Sequence, residues 1–361
     1  MTRLQELARL GQSIWLDYIS RSLIISGELQ SLIGEGLRGI TSNPTIFEKA
    51  IAGSPDYDDD IRRLAAQGKS DVEIYEALAV DDITKAADLL RPLHEETKGA
   101  DGYVSLEANP KLAYDTEGTI TEVRRLWKLL ARSNVMIKVP ATPSGIPAIE
   151  RLTAEGINVN ITLIFSLFQY ESVARAYTAG LEKLAAAGGP AEKVASVASF
   201  FVSRIDTTVD GALETKGVTD LQGRIAVDYS KVVYSRFREH LASARWKHLV
   251  GRGGRVQRLL WGSTGTKNPG YSDVLYVDQL IGPDTVNTLP PATLEAFRDH
   301  GRVAVTVTEG LDDARVRLSR LEALGISMDQ ITRKLQDDGV MAFARSFEGL
   351  LNSISEKRKK L

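Results

Sequence analysis

Eight times along the 361 residues, a short run of β character is followed by a longer stretch with helical periodicity. The β-type runs are 14–20 (IWLDYIS), 37–43 (LRGITSN), 103–108 (YVSLEA), 135–140 (VMIKVP), 157–164 (INVNITLI), 194–203 (VASVASFFVS) and 255–263 (RVQRLLWGS). The eighth is 284–290 (DTVNTLP), in competition with 303–308 (VAVTVT). Helical spacing of apolar residues marks 26–35, much of 45–100, 115–131, 144–154 with Ser144 as cap, 167–187, 205–213, 218–242, and the chain from about Leu311 onward. Strands alternating with helices argue for a parallel sheet, because each parallel step needs a crossover. Eight such units over roughly 250 residues predict an α/β fold, a (β/α)8 TIM barrel. An open doubly wound sheet is the rival, but it carries a glycine-rich phosphate turn after its first strand. Here "RSLIISGEL" follows the first run, without GxGxxG. The expectation is one barrel domain over 1–361, with a helical insertion at about 45–100 and C-terminal helices at about 311–361. "SPDYDDD" (54–60) reads as an acidic surface loop and "EKRKK" as a frayed end.

Composition narrows the chemistry. There are no cysteines, so disulfides, thiolate metal sites and cysteine nucleophiles are excluded. The four histidines (His94, His240, His248, His300) show no HxH or HxxxH spacing, which argues against a histidine zinc site. Lys plus Arg number 45 against 47 Asp plus Glu, a balance that makes no electrostatic case for nucleic acid or a membrane surface. The N-terminal "MTRLQELARLGQSIWLDY" has charges throughout and no apolar h-region, and no run is long enough to span a bilayer. The reading is a cytoplasmic protein.

In a TIM barrel the chemistry sits at the C-terminal ends of the strands. Here those ends carry Asp17; Thr41, Ser42 and Asn43; Glu107 and Asn109; Lys138; Asn158, Asn160 and Thr162; Ser199 and Arg204; Ser263 and Lys267. Carboxylates, amides, hydroxyls and cations converging on one mouth suit a polyhydroxylated, anionic molecule. Lys138 is the candidate nucleophile. An ordinary lysine is neutral in only about one copy in a thousand at pH 7.4. Desolvation disfavours the ammonium, and a neutral amine can attack a ketone to form a Schiff base. The competing reading is a lysine that packs its stem and keeps its head in water. Asp17 and Glu107 can divide acid and base roles, or a barrel-interior carboxylate can be held by Lys138 in a structural ion pair. Asn43, Asn160 and Thr162 can bind hydroxyls or position a water, although "TSNP" is also ordinary turn chemistry. Arg204, Ser263 and Lys267 can hold a phosphate. The "GSTGTK" run (262–267) lacks Walker spacing.

Taken together, "WLDYISR" (15–21), "GITSNPTIF" (39–47), "VSLEANP" (104–110), "VMIKVPAT" (135–142), "GINVNITLIFS" (156–166) and "SFFVSRIDT" (199–207) resemble the transaldolase family. They occur in the family's order and span most of the chain. A segment such as 264–290 is similar to the longer bacterial branch. The resemblance implies that Lys138 forms the Schiff base and that Asp17 handles the sugar hydroxyl as the carbon–carbon bond breaks. It implies that Glu107 and Thr162 order a water for proton transfer. It also implies that Asn43 and Asn160 contact the substrate, that Ser199 and Arg204 line its hydroxyl and phosphate end, and that Phe201 packs nearby. The implied reaction moves a dihydroxyacetone unit from sedoheptulose 7-phosphate to glyceraldehyde 3-phosphate, in the pentose phosphate pathway. Its products are erythrose 4-phosphate and fructose 6-phosphate, and it uses no metal or organic cofactor. The partners implied are sugar phosphates, and the chain would act as a monomer or homodimer. One place departs from the family: Ser263 is followed by Thr264-Gly265-Thr266-Lys267 where many members have serine, one residue, then arginine. Lys267 is the candidate replacement cation. Fructose 6-phosphate aldolases, which release dihydroxyacetone, typically have glutamine and tyrosine where this chain has Glu107 and Phe201, so transfer is favoured over release. A catalytically silent sugar-phosphate binder is the other alternative.

Overall fold

Each strand hydrogen-bonds to the next in the chain and the last returns to the first, so the sheet has no edge. The strands are β1 (Gln12–Leu16), β2 (Gly39–Thr41), β3 (Tyr103–Glu107), β4 (Val135–Pro140), β5 (Val159–Ile164), β6 (Ser196–Phe201), β7 (Arg258–Gly262) and β8 (Thr285–Leu289). All eight pairings are parallel, and β1 meets β8 from Gln12↔Thr285 to Leu16↔Leu289. The computed structural model describes residues 1–361. The fold is the (β/α)8 barrel that the strand–helix alternation predicts.

The apolar runs follow from burial on both faces, which removes the polar half of a strand's alternation. Successive residues divide between two cores. Ile14, Leu16, Val104, Ile137, Ile161 and Trp261 join the helices' apolar stripes, while Trp15, Tyr103, Met136, Val197, Leu260 and Val286 form a second cluster. Gly39 belongs to that second packing. A Cβ there would lie 2.7 Å from the Trp15 ring, so only glycine lets β2 close against β1.

Several elements differ from expectation. The strand predicted at 14–20 ends at Leu16, because Ser20 caps a helix that begins at Arg21. The helix predicted at 26–35 is Glu28–Glu35, and a separate helix not expected, Arg21–Ile25, precedes it across Gly27 at φ 84°. Residues 303–308 form no strand; Val307 packs against Gly282, and the barrel closes through 285–289. Ser144 occupies the cap position but makes no capping bond; Gly145 N–H donates to Thr142 Oγ1 at 3.0 Å instead. "SPDYDDD" is a 3-10 turn leading into the helix Asp58–Ala66, whose first-turn aspartates suit the positive end of its dipole. The basic tail is helical to Lys360, and Lys357 pairs with Asp58 at 2.6 Å.

The 45–100 excursion is helical as expected, ending in the helix Asp71–Glu96, whose Ser70/Glu73 capping box closes its first turn. It is tied to the start of the helix Arg21–Ile25 by a partly buried network. Arg21 meets Asp82 at 3.1 Å and Asp81 at 3.0 Å, and the Tyr57 hydroxyl donates to Asp82 at 2.8 Å. The C-terminal helix Met328–Lys360 packs across the C-terminal ends of the strands. Its Gln336 amide donates to the carbonyls of Ala141 at 2.8 Å and Leu163 at 3.2 Å, just past Pro140 in β4 and inside β5. No helix is long and apolar enough to cross a membrane.

Candidate active site

The C-terminal ends of the strands surround a cavity of about 360 Å3. Each wall comes from a strand end or the turn after it: Asp17 and Tyr18 after β1, Thr41 and Asn43 at β2, Lys138 in β4, Thr162 in β5. Ser199, Phe201 and Arg204 follow at β6, then Ser263 and Lys267 after β7 and Thr288 in β8. Phe343 of the C-terminal helix closes the ring.

Lys138 is 5% exposed, so the reading in which its head reaches bulk water is not the one observed. Its ammonium donates to the Ser42 carbonyl at 3.1 Å and lies 3.1 Å from Glu107 Oε2. The approach to Glu107 is off the hydrogen-bond axis, which leaves Oε2 in ionic contact without an aligned donor. The Phe343 ring centroid is 6.0 Å from Nζ. The close carboxylate is therefore Glu107, not Asp17, because Glu107 and Lys138 are register partners on β3 and β4.

Asp17 lies one residue past β1, its N–H held by the Leu289 carbonyl at 2.7 Å. Its carboxylate accepts from Thr41 Oγ1 at 2.6 Å, and Thr41 Oγ1 also meets Thr288 Oγ1 at 2.6 Å. Burial raises the Asp17 carboxyl above the ordinary range, opposed by Lys138 and by the Thr41 hydrogen bond. Burial raises Glu107 as well, opposed by Lys138. Glu107 lines a second cavity, about 190 Å3, beside Tyr75, Leu106 and Phe347, rather than the main mouth.

The amides are less free than their sequence positions imply. Asn43 Oδ1 accepts from Ile46 N–H at 3.0 Å and caps the helix Pro44–Gly53, while the residue still lines the mouth. Turn chemistry and a mouth position thus coexist there. Asn160 is fully buried, one inward-facing position before Thr162, and is not part of the mouth's lining. Its amide nitrogen donates to Ser105 Oγ at 3.0 Å, and its oxygen accepts from Ser199 Oγ at 2.7 Å. Thr162 Oγ1 is buried without a protein partner and faces this polar interior. The next residue, Leu163, has φ 58°, a left-handed conformation costly for a branched side chain, at an irregularity in the β5–β6 pairing.

At the far side, the Arg204 guanidinium lies 5.4 Å from the Phe201 ring centroid, and Phe201 packs on Phe165 at 5.3 Å. Burial lowers the Arg204 pKa, with Asp17 opposing. Ser263 has φ 53°, and its hydroxyl meets that of Ser203 at 2.9 Å. Lys267 lines the same mouth.

Comparison with known proteins gives the family. The family model described as Transaldolase/Fructose-6-phosphate aldolase matches residues 14–354. A protein of Trichodesmium erythraeum named Transaldolase is 49% identical, covering 99% of this chain and 98% of its own length. Transaldolase of Thiobacillus denitrificans is 48% identical over 97% of this chain and 99% of its own. Transaldolase of Thermobifida fusca is 47% identical over 98% of each. The chain belongs to the transaldolase/fructose-6-phosphate aldolase family. Likeness at this level over the whole chain supports transaldolase activity, an enzyme of the transferase class, and sugar-phosphate substrates.

Tyr18, Lys49, Thr288 and Phe343 are among the mouth residues that the sequence candidates did not include. Thr288 was legible in principle, since it lies near the C-terminal end of the eighth β-type run. Lys49 and Phe343 lie on helices, where no strand-end rule points to them, and only the packing of those helices brings them in.

Proposed function

We propose that this chain transfers a dihydroxyacetone unit between sugar phosphates through a Schiff base on Lys138. The observation that carries the reading is a lysine 5% exposed, 3.1 Å from a carboxylate, inside a mouth lined by hydroxyls and cations. Passing one proton from the ammonium to Glu107 leaves an amine able to attack the ketose carbonyl. Loss of water from the carbinolamine, with Glu107 and Thr162 ordering the water that carries the proton, forms the iminium. Asp17 then takes the proton of the C4 hydroxyl. The C3–C4 bond breaks, its electron pair flows into the iminium as an enamine, and an aldose phosphate leaves. A second aldose phosphate accepts the unit by the reverse steps, with sedoheptulose 7-phosphate and glyceraldehyde 3-phosphate as the physiological pair in the pentose phosphate pathway of the cytoplasm. Asn43 and Ser199 orient hydroxyls, Asn160 acts through Ser199, whose hydroxyl it holds, Arg204 with Ser263 and Lys267 holds the phosphate, and Phe201 supports Arg204.

Reductive trapping tests this directly. Fructose 6-phosphate and borohydride should add one reduced three-carbon unit to Lys138, located by peptide mapping. Erythrose 4-phosphate added before borohydride should discharge it. An adduct elsewhere, or none from folded enzyme across a range of pH, would sink the assignment. Free dihydroxyacetone accumulating in place of transfer would reassign the reaction to release.

A further inference from the structure

A cleft of about 420 Å3 opens on the outer layer, between the helix Ile225–Ala242, the turn before it and the segment 270–279. Arg224, Lys231 and Arg317 line it, with one carboxylate, Asp228. Asp228 is already taken, since Arg317 donates to both its oxygens at 2.6 and 2.7 Å. Lys231 is 7% exposed, and its ammonium donates to the Glu309 main-chain carbonyl at 2.9 Å rather than to a carboxylate. A cation held that far from water is costly unless it meets an anion. Burial accordingly lowers the Lys231 pKa, against the opposing pull of Asp228 and Glu309. The neighbouring carboxylates are committed. Asp210 accepts from Tyr271 Oη at 2.7 Å and Gly223 N–H at 3.0 Å. Asp206 accepts from Ala226 N–H at 2.7 Å and Tyr276 Oη at 2.9 Å, and Asp220 pairs with Arg320. The side-chain amides of Gln222 and Gln279 and the Ser272 hydroxyl complete a wall that is mostly polar.

We propose that this cleft binds a phosphorylated polyol as an effector, at a site separate from the catalytic mouth. Arg224 and Lys231 meet the phosphoryl group, and Gln222, Gln279 and Ser272 meet hydroxyls. The volume suits a molecule of that class. Two connections couple the sites, one along the chain and one through hydrogen bonds. Gly265 and Lys267 line the mouth, and a few residues on the same segment supplies Tyr271, Ser272 and Gln279 to the cleft. The helix Ser203–Thr215 carries Arg204 in its first turn and, through Asp206 and Asp210, holds Tyr276 and Tyr271. Filling the cleft therefore acts on the cations at the phosphate end of the mouth, and hence on KM.

The test is calorimetric titration of the full chain with glucitol 6-phosphate, which has no carbonyl and forms no imine, and with inorganic phosphate. This readout does not depend on catalysis, so it stands apart from the Schiff-base assignment. An Arg204→Ala chain, its mouth weakened, should still bind one glucitol 6-phosphate, about tenfold more tightly than phosphate. Adding Arg224→Gln, at an exposed side chain, should weaken that binding by about tenfold, the loss of one charge-assisted contact. In otherwise native enzyme, glucitol 6-phosphate should change KM for fructose 6-phosphate beyond simple competition, and Arg224→Gln should leave competition alone. No binding to the Arg204→Ala chain, or binding indifferent to Arg224→Gln, would overturn the site. Equal affinity for phosphate would overturn the polyol class, and purely competitive kinetics in native enzyme would overturn the coupling.

Discussion

Glu107 and Lys138 stand at one level on neighbouring strands, and their charged ends are 3.1 Å apart. Parallel register fixes that level, so the pair follows from how β3 and β4 align. Glu107→Gln keeps the shape and removes the charge that faces the buried ammonium. Expected is a fall in kcat of about 10²–10⁴-fold with KM little changed, as for loss of a general acid–base group. Steady-state kinetics, with the trapping rate on Lys138 as a second readout, checks it. Unchanged kcat would remove Glu107 from proton transfer.

Asp17 sets the acid limb. Burial raises its carboxyl above the ordinary range, so a base at this position loses its ionised form at a pH higher than an exposed aspartate would. The rate should therefore fall as pH drops through that raised value and hold steady above it. Asp17→Asn should lose most cleavage and, with it, this limb, while still forming the imine. A pH profile of kcat/KM beside borohydride trapping separates the two steps, and an unaltered acid limb in the variant would assign it to another group.

Arg204 rests on the Phe201 ring and has no carboxylate partner, so its charge is free for a substrate anion. Arg204→Ala should raise KM for fructose 6-phosphate by about tenfold or more while changing reaction with free dihydroxyacetone little. Equal losses for both would remove the phosphate role.

Gln336 reaches from the C-terminal helix to two carbonyls near Lys138 and Thr162. Gln336→Leu leaves both carbonyls buried without that donor and should cost about 1–3 kcal/mol in denaturant unfolding. Activity should fall further than stability accounts for at 25 °C, because the ends of β4 and β5 lose a shared anchor. A variant with native kcat would confine Gln336 to stability.

Asp206 is 1% exposed, and burial pushes its carboxyl up to about 7. The unfolded aspartate ionises near 3.8. Between those values the native state holds a proton that the unfolded state has released, so stability declines as pH rises from about 4 to about 7. The full effect is on the order of 4 kcal/mol. Asp206→Asn should flatten this part of the stability–pH curve, measured by urea unfolding at several pH values. An unchanged slope would show that other groups set it.

Much of this protein was settled by local pattern. The apolar runs ending in Asp17, Glu107, Lys138 and Thr162 identify strands and also name the residues of their C-terminal ends, because a barrel places chemistry there. The helix starts read at 115 and 167 fall within a residue or two of those observed, where Asp115 and Ser166 cap, since a cap is a local bond. What the tertiary structure decided is partnership. Whether Lys138 faces Asp17 or Glu107 depends on register across strands separated by whole helices. That Asn160 spends its amide on Ser105 and Ser199, rather than lining the mouth, depends on which side chains meet inside the barrel. The entry of Phe343 and Gln336 from a helix some 200 residues beyond Lys138 comes from packing of an apolar face onto strand ends. Local sequence encodes conformation through sterics and nearby hydrogen bonds, while contacts distant in the chain exist only once closure of the barrel sets their distances.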